Sequence, residues 1–234
     1  MKLGIGLNQK SNPFIDTIAY YRFDESSGNA IDLINNHNGT VVGGVTRNAS
    51  GKLGDAYEFN GTDSYVQLPP SLFNSLDYTN FTVCFWFKVL GNKTSSFEGI
   101  ISDDSPVIED TKLSISLQNS SGRIFFGYSD GTTINGAGST LIPIINQFYF
   151  LQYKYLDNES IVIKVNNEVI NTLSVVSSPS ATNPISVGAR ANQGQSPSLF
   201  FEGIIGDLFF INGQTDEGQD KMLYNNGNGV YYNA

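Results

Sequence analysis

The chain has 234 residues, 22 of them acidic and 13 basic, for a net charge of −9. Only 15% of residues are charged while 40% are hydrophobic, including 16 Phe and 12 Tyr, which excludes a disordered chain. No cluster of Lys and Arg is present to neutralise phosphates, so nucleic acid is not expected as a partner.

In chain order, residues 1–13 read as an arm: Gly-spaced apolar residues from Leu3 to Leu7, closed by Ser11-Asn12-Pro13. Such an arm is either a frayed terminus or a docking element for homo-oligomer or other assembly. Its apolar stretch is shorter than a secretory h-region, so no signal peptide is expected and the chain is read as made in the cytoplasm. No window approaches the roughly 18 apolar residues of a membrane span, and no membrane insertion is expected.

Residues 14–234 read as one domain of strands and turns. Thr17 to Phe23 is β-branched and aromatic and runs into a turn from Asp24 to Asn29. His37, the one histidine, sits in a polar turn, and any Ser-His-Asp triad would have to use it. Asp55–Phe59 and Tyr65–Leu68 flank the hairpin-type turn Asn60-Gly61-Thr62-Asp63. The clearest strand is Phe81 to Val89, with Phe81, Val83, Phe85 and Phe87 on one face and Thr82, Cys84, Trp86 and Lys88 on the other. Cys84, the one cysteine, reads as a small buried residue, and one Cys with one His leaves no disulfide or Cys-rich zinc site.

Strands continue with the alternation of Leu113, Ile115 and Leu117, then Arg123–Tyr128, Phe148–Tyr155, Ile161–Val165 and Val169–Leu173. The last two are joined tightly at Asn166-Asn167. Ile185–Ala189 and the run Phe200–Ile211 complete the set, and only Asp216–Tyr224 has a helical look. Roughly twelve short strands without alternating helices give an all-β, two-sheet sandwich.

Three stretches carry a family resemblance: Tyr20-Tyr21-Arg22-Phe23-Asp24-Glu25-Ser26-Ser27-Gly28; Gly51-Lys52-Leu53-Gly54-Asp55-Ala56-Tyr57-Glu58-Phe59-Asn60-Gly61; and Phe201-Glu202-Gly203-Ile204-Ile205-Gly206-Asp207-Leu208, followed by Leu223-Tyr224-Asn225-Asn226-Gly227. Their order and spacing over residues 17–232 resemble laminin G-like, pentraxin-like domains of the concanavalin A-like lectin/glucanase superfamily. The resemblance implies a concanavalin A-like jelly-roll sandwich of two antiparallel sheets. Phe23, Phe59 and Trp86 are then expected between the sheets, with Gly54 and Gly61 at turns.

The resemblance also implies binding to glycans or to other surface proteins, and a structural Ca²⁺ ion. Asp24 and Asp207, with carbonyls of the turn from Ser26 to Asn29, are the expected donors toward the roughly six to eight oxygens that calcium takes. Asp32 is expected to cap the turn after it.

Glycan contacts are expected in the loops Ser102–Asp110, Ser129–Thr140 and Arg190–Ser198, where Tyr128, Asp130, Arg190 and Asn192 are the candidates. A glycosidase of the superfamily would need two carboxylates about 5 Å apart on one strand. No strand here carries Glu-x-Asp. The leading reading is therefore a non-catalytic carbohydrate-binding or adhesion protein, such as a bacteriophage virion decoration on a particle surface. A free soluble Ca²⁺-dependent lectin is second, and a glycosidase third.

Overall fold

The computed structural model describes residues 12–91, 97–103, 111–176, 184–191 and 197–232. The first strands are β1 (Thr17–Tyr21), β2 (Thr40–Val42), β3 (Thr46–Ser50), β4 (Asp55–Asn60) and β5 (Tyr65–Gln67). A short helix α1 (Pro70–Ser75) leads into β6 (Asn80–Val89) and β7 (Phe97–Ser102). The middle holds β8 (Ser114–Gln118), β9 (Arg123–Ser129), β10 (Ile134–Gly138), β11 (Phe148–Leu156), β12 (Ser160–Val165) and β13 (Glu168–Ser174). Last come β14 (Ser186–Val187), β15 (Ala189–Ala191), β16 (Pro197–Phe200), β17 (Glu202–Asn212) and helix α2 (Glu217–Tyr224).

Among the described residues these strands form two sheets. One has eight strands in the order β13-β12-β11-β6-β17-β4-β3, with β1 paired to β17. The other has nine, in the order β10-β9-β8-β7-β14-β5-β2, with β15 and β16 beside β7. Among the described strands pairing is antiparallel except where Phe200 of β16 meets Gly99 of β7. The crossovers, with β17 returning between β4 and β6, make a jelly-roll-like sandwich.

Strand β6 shows why the sheets stack. Phe81, Val83, Phe85, Phe87 and Val89 enter the core between the sheets, where Ile115, Phe126 and Tyr128 of the opposite sheet meet them. Phe23 and Phe59 lie in the same core, as expected, and Gly54 and Gly61 adopt positive φ (110° and 67°).

Trp86 corrects the expectation. Alternation sends it to the outer face of the eight-stranded sheet, where it is buried with Tyr20, Cys84, Phe150, Phe209, Ile211 and Leu223. The cover is α2 and the segment after it, through Tyr224, Val230 and Tyr232. A further apolar layer therefore lies outside the sandwich.

Other departures are local. The first strand stops at Tyr21 because Phe23 takes a positive φ of 61°. Part of the expected loop Ser129–Thr140 is strand β10, paired with β9. The expected run Phe200–Ile211 is broken between β16 and β17. The arm at residues 1–13 lies outside the described residues except for Asn12 and Pro13.

Candidate functional site

Helix α2 is started by its own sequence. Asp216 accepts from the Gln219 N–H at 2.7 Å while the Gln219 side chain accepts from the Asp216 N–H at 3.1 Å, a reciprocal capping box. Asp220 then fastens the helix to the sheet. Its buried carboxylate receives Lys154 Nζ and Lys164 Nζ, both at 2.6 Å, with Gln152 Nε2 at 2.8 Å and Thr215 Oγ1 at 2.5 Å. Burial works against this charge, but the two lysines and Thr215 hold the carboxyl below its usual range.

The end of α2 so placed faces the β12–β13 turn across a cleft of about 510 Å³. Asn166, Asn167 and Glu168 line one side, and Lys221, Met222, Tyr224, Asn225 and Asn226 the other. All four asparagines sit in the left-handed region, at φ 52°, 68°, 47° and 52° in chain order. Asn adopts that region more readily than most residues, which lets two tight turns meet here.

Two of the amides hold the walls. Asn166 Oδ1 accepts from the Phe150 N–H at 3.0 Å, and Asn225 Nδ2 donates to Gly229 O at 2.8 Å. Tyr224 is half-buried, its ring packed on Trp86 and Phe150 at 6.0 and 6.2 Å. The cleft thus combines a braced aromatic ring, amides that donate and accept, one carboxylate and one ammonium. Such a set suits a polyhydroxylated ligand.

The site residues expected from sequence lie elsewhere. Tyr128 is a core side chain whose hydroxyl accepts from the Val176 N–H at 3.0 Å. Asp130 is spent inside its own turn, accepting from Thr132, Thr133 and Asn135, and these hydrogen bonds hold its carboxyl below the usual range. Arg190 stacks over the Phe97 ring at 5.7 Å. Asn192 and most of the loops Ser102–Asp110 and Arg190–Ser198 lie outside the described residues.

Asp24, beyond the end of β1, and Asp207, inside β17, feel each other's charge, but both face donors. Asp207 is buried and accepts the Tyr20 hydroxyl at 2.7 Å, while Arg22 Nε lies 3.1 Å from Asp24 Oδ2. The turn carbonyl Gly28 O accepts Arg47 Nη2 at 2.6 Å. Two guanidinium groups and a phenol are a poor fit to a calcium ion. Among the described residues no three His, Cys, Asp or Glu side chains gather as a metal group.

His37 is buried rather than part of a solvated turn. Its Nδ1 lies 3.0 Å from Asp32 Oδ2 and its Nε2 3.2 Å from Ser75 Oγ. The order resembles a nucleophile relay, but Ser75 Oγ has a second acceptor in Ser71 O at 3.1 Å, and none of the three lines the cleft. Asp32 accepts from the N–H groups of Tyr20, Ile34, Asn35 and His37, capping its turn as expected. The trio is a latch between α1 and the first strand.

Comparison with known proteins adds the family. The model of the Concanavalin A-like lectin/glucanases superfamily, Laminin_G_3, matches residues 60–218. No curated protein matches the chain.

Among solved structures, the binding domain of Paraclostridial Mosquitocidal Protein 1 is similar at TM-score 0.72 and 18% identity, over 92% of this chain and 53% of that one. The receptor binding domain of botulinum neurotoxin C/D mosaic serotype follows at 0.69 and 13%, over 90% and 51%. A structure of botulinum neurotoxin type C, whose uptake by cells depends on two ganglioside molecules, matches at 0.65 and 17%, over 90% and 51%. The chain spans about half the length of these structures, and at such identities the likeness is one of fold.

Proposed function

The chain belongs to the concanavalin A-like lectin/glucanase superfamily, and from that we propose that it binds carbohydrate, without turning it over, in the cleft between α2 and the β12–β13 turn. The observation that carries this reading is the meeting of Tyr224 with Asn166, Asn167, Asn225 and Asn226 around one cleft. A half-buried ring offers a face or edge to a sugar, and paired amides match its hydroxyls.

Catalysis is not part of the reading. Hydrolysis of a glycosidic bond needs two carboxylates, and Glu168 is the one acid among the lining residues. The similar solved structures are binding or receptor-binding domains, which supports the same reading. The ganglioside dependence of one of them supports a cell-surface glycan as ligand class.

We place the domain in adhesion, with a virion or other particle surface as its setting and residues 1–13 as its assembly element. Low charge and abundant Asn and Ser support that setting. Calcium has no role in the binding step proposed. A glycan array with bacterial and animal surface glycans tests the reading: selective binding lost in Tyr224→Ala supports it, and a blank array overturns it.

A further inference from the structure

The connection from β10 to β11 presents an apolar tip that the glycan reading does not use. From Gly131 to Tyr153 no side chain is charged. Within that run Leu141 packs on the core and Pro143 is buried, so the residues between and after them turn outward. Ile142 is 52% exposed, Ile144 63% and Ile145 42%. Three β-branched aliphatics in four positions stand in water where polar residues would cost nothing.

The tip is built rather than loose. Ile144 N–H donates to Tyr149 Oη at 3.0 Å, Gln147 N–H to Ile144 O at 3.2 Å, and Asn146 N–H to Val89 O at 2.8 Å. At its base Ile142 Cγ2 lies 3.1 Å from the Cβ position of Gly122, so Arg123 is adjacent, with its Nη1 bonded to Ser139 O at 3.0 Å. On the other flank Lys88 Nζ lies over the Phe148 ring at 4.6 Å. Apolar residues at a tip with cations at its base match the layering of a bilayer surface, acyl chains below and phosphates above.

We propose that this loop docks the domain on a phospholipid bilayer, with Ile142, Ile144 and Ile145 in the interfacial layer and Arg123 and Lys88 at the phosphates. The contact is peripheral. No helix among the described residues is long and apolar enough to cross a membrane. The tip shares an end of the molecule with the cleft, since Thr140 Oγ1 bonds Ile170 O at 3.1 Å two residues beyond Glu168. The net charge of −9 opposes an anionic surface at a distance, but salt screens that field beyond roughly 8 Å.

Sedimentation with sugar-free phosphatidylcholine vesicles, with and without phosphatidylserine, tests the loop separately from the glycan reading. The wild-type chain should sediment with both and more strongly with phosphatidylserine. A double variant, Ile142→Asp with Ile144→Asp, should lose roughly tenfold or more of the binding with its melting temperature unchanged, because both side chains are exposed. Arg123→Glu should remove only the phosphatidylserine increment. A wild-type chain left in the supernatant, or a double variant that sediments equally, overturns the proposal and assigns the tip to a protein contact.

Discussion

The Tyr20 hydroxyl donates to Asp207 Oδ1 at 2.7 Å, joining the first strand to the long strand β17 across 187 residues. The Tyr20 ring lies flat on Phe209 at 4.3 Å, and Asp207 itself takes a positive φ of 51° where the β6–β17 register slips. This contact ties the outer apolar layer to the start of the fold.

It also makes stability depend on pH. Burial is the main cause that pushes the Asp207 carboxyl up to about 7 from 3.8, against the pull of Tyr20 and Arg22. Between those values the folded state holds a proton that the unfolded chain has released, so stability falls as pH rises from about 4 through about 7. Asp207→Asn should flatten that slope in denaturant titrations and raise stability at pH above the folded value. A variant with the same slope as wild type would show that another group titrates.

Calcium and EDTA should leave the melting temperature unchanged, given the donors that face Asp24 and Asp207. A rise with calcium that disappears in Asp24→Asn would show that these carboxylates reorganise around the ion.

Asp220 gathers two lysines under α2. Asp220→Asn leaves buried cations short of their counter-charge, which should cost about 3–5 kcal/mol. Glycan binding should fall with it, because α2 carries one wall of the cleft. Urea unfolding measures the first effect, and a variant within 1 kcal/mol of wild type, a margin of about one ordinary hydrogen bond, would contradict the anchoring role.

Trp86→Ala should cost about 3–5 kcal/mol by opening a cavity, although the ring is outside the sandwich core. The loss should come with faster amide exchange in α2, which rests on that ring through Leu223 and Tyr224. Exchange that quickens between the sheets instead would place Trp86 differently.

Ser75 should resist fluorophosphonate labelling, because its hydroxyl is shared between Ser71 O and a buried His37 that holds α1 to the first strand. His37→Ala should lower the melting temperature by loosening α1 from Asp32 and its turn. Labelling that requires His37 would instead make the latch a nucleophile.

Much of this fold was legible as pattern, and its layers were not. The alternation from Phe81 to Val89 states that β6 has two faces and which residues share each. It does not state what covers the second face, so Trp86 looked like a residue of the inter-sheet core. Asp216 to Tyr224 reads as a helix from its acidic start, yet its landing place on β11 and β12 depends on Lys154 and Lys164, which pattern alone leaves as strand lysines.

The cleft was hidden for a related reason. Asn166-Asn167 reads as a tight turn and Asn225-Asn226-Gly227 as part of a family motif, but their meeting is tertiary. Tyr128 misled because it closes a strand beside a loop, where an aromatic ring looks available. Its burial is set by the opposite sheet and by Val176, far along the chain.

Binding of surface glycans to the wild-type chain and to Tyr224→Ala, on one array with calcium and again with EDTA, tests the central claim most directly. The account predicts selective binding by wild type in both conditions, lost in Tyr224→Ala at a temperature well below that variant's own melting point. Undiminished binding by the Tyr224 variant would contradict the cleft, and an array blank for wild type would contradict carbohydrate binding itself.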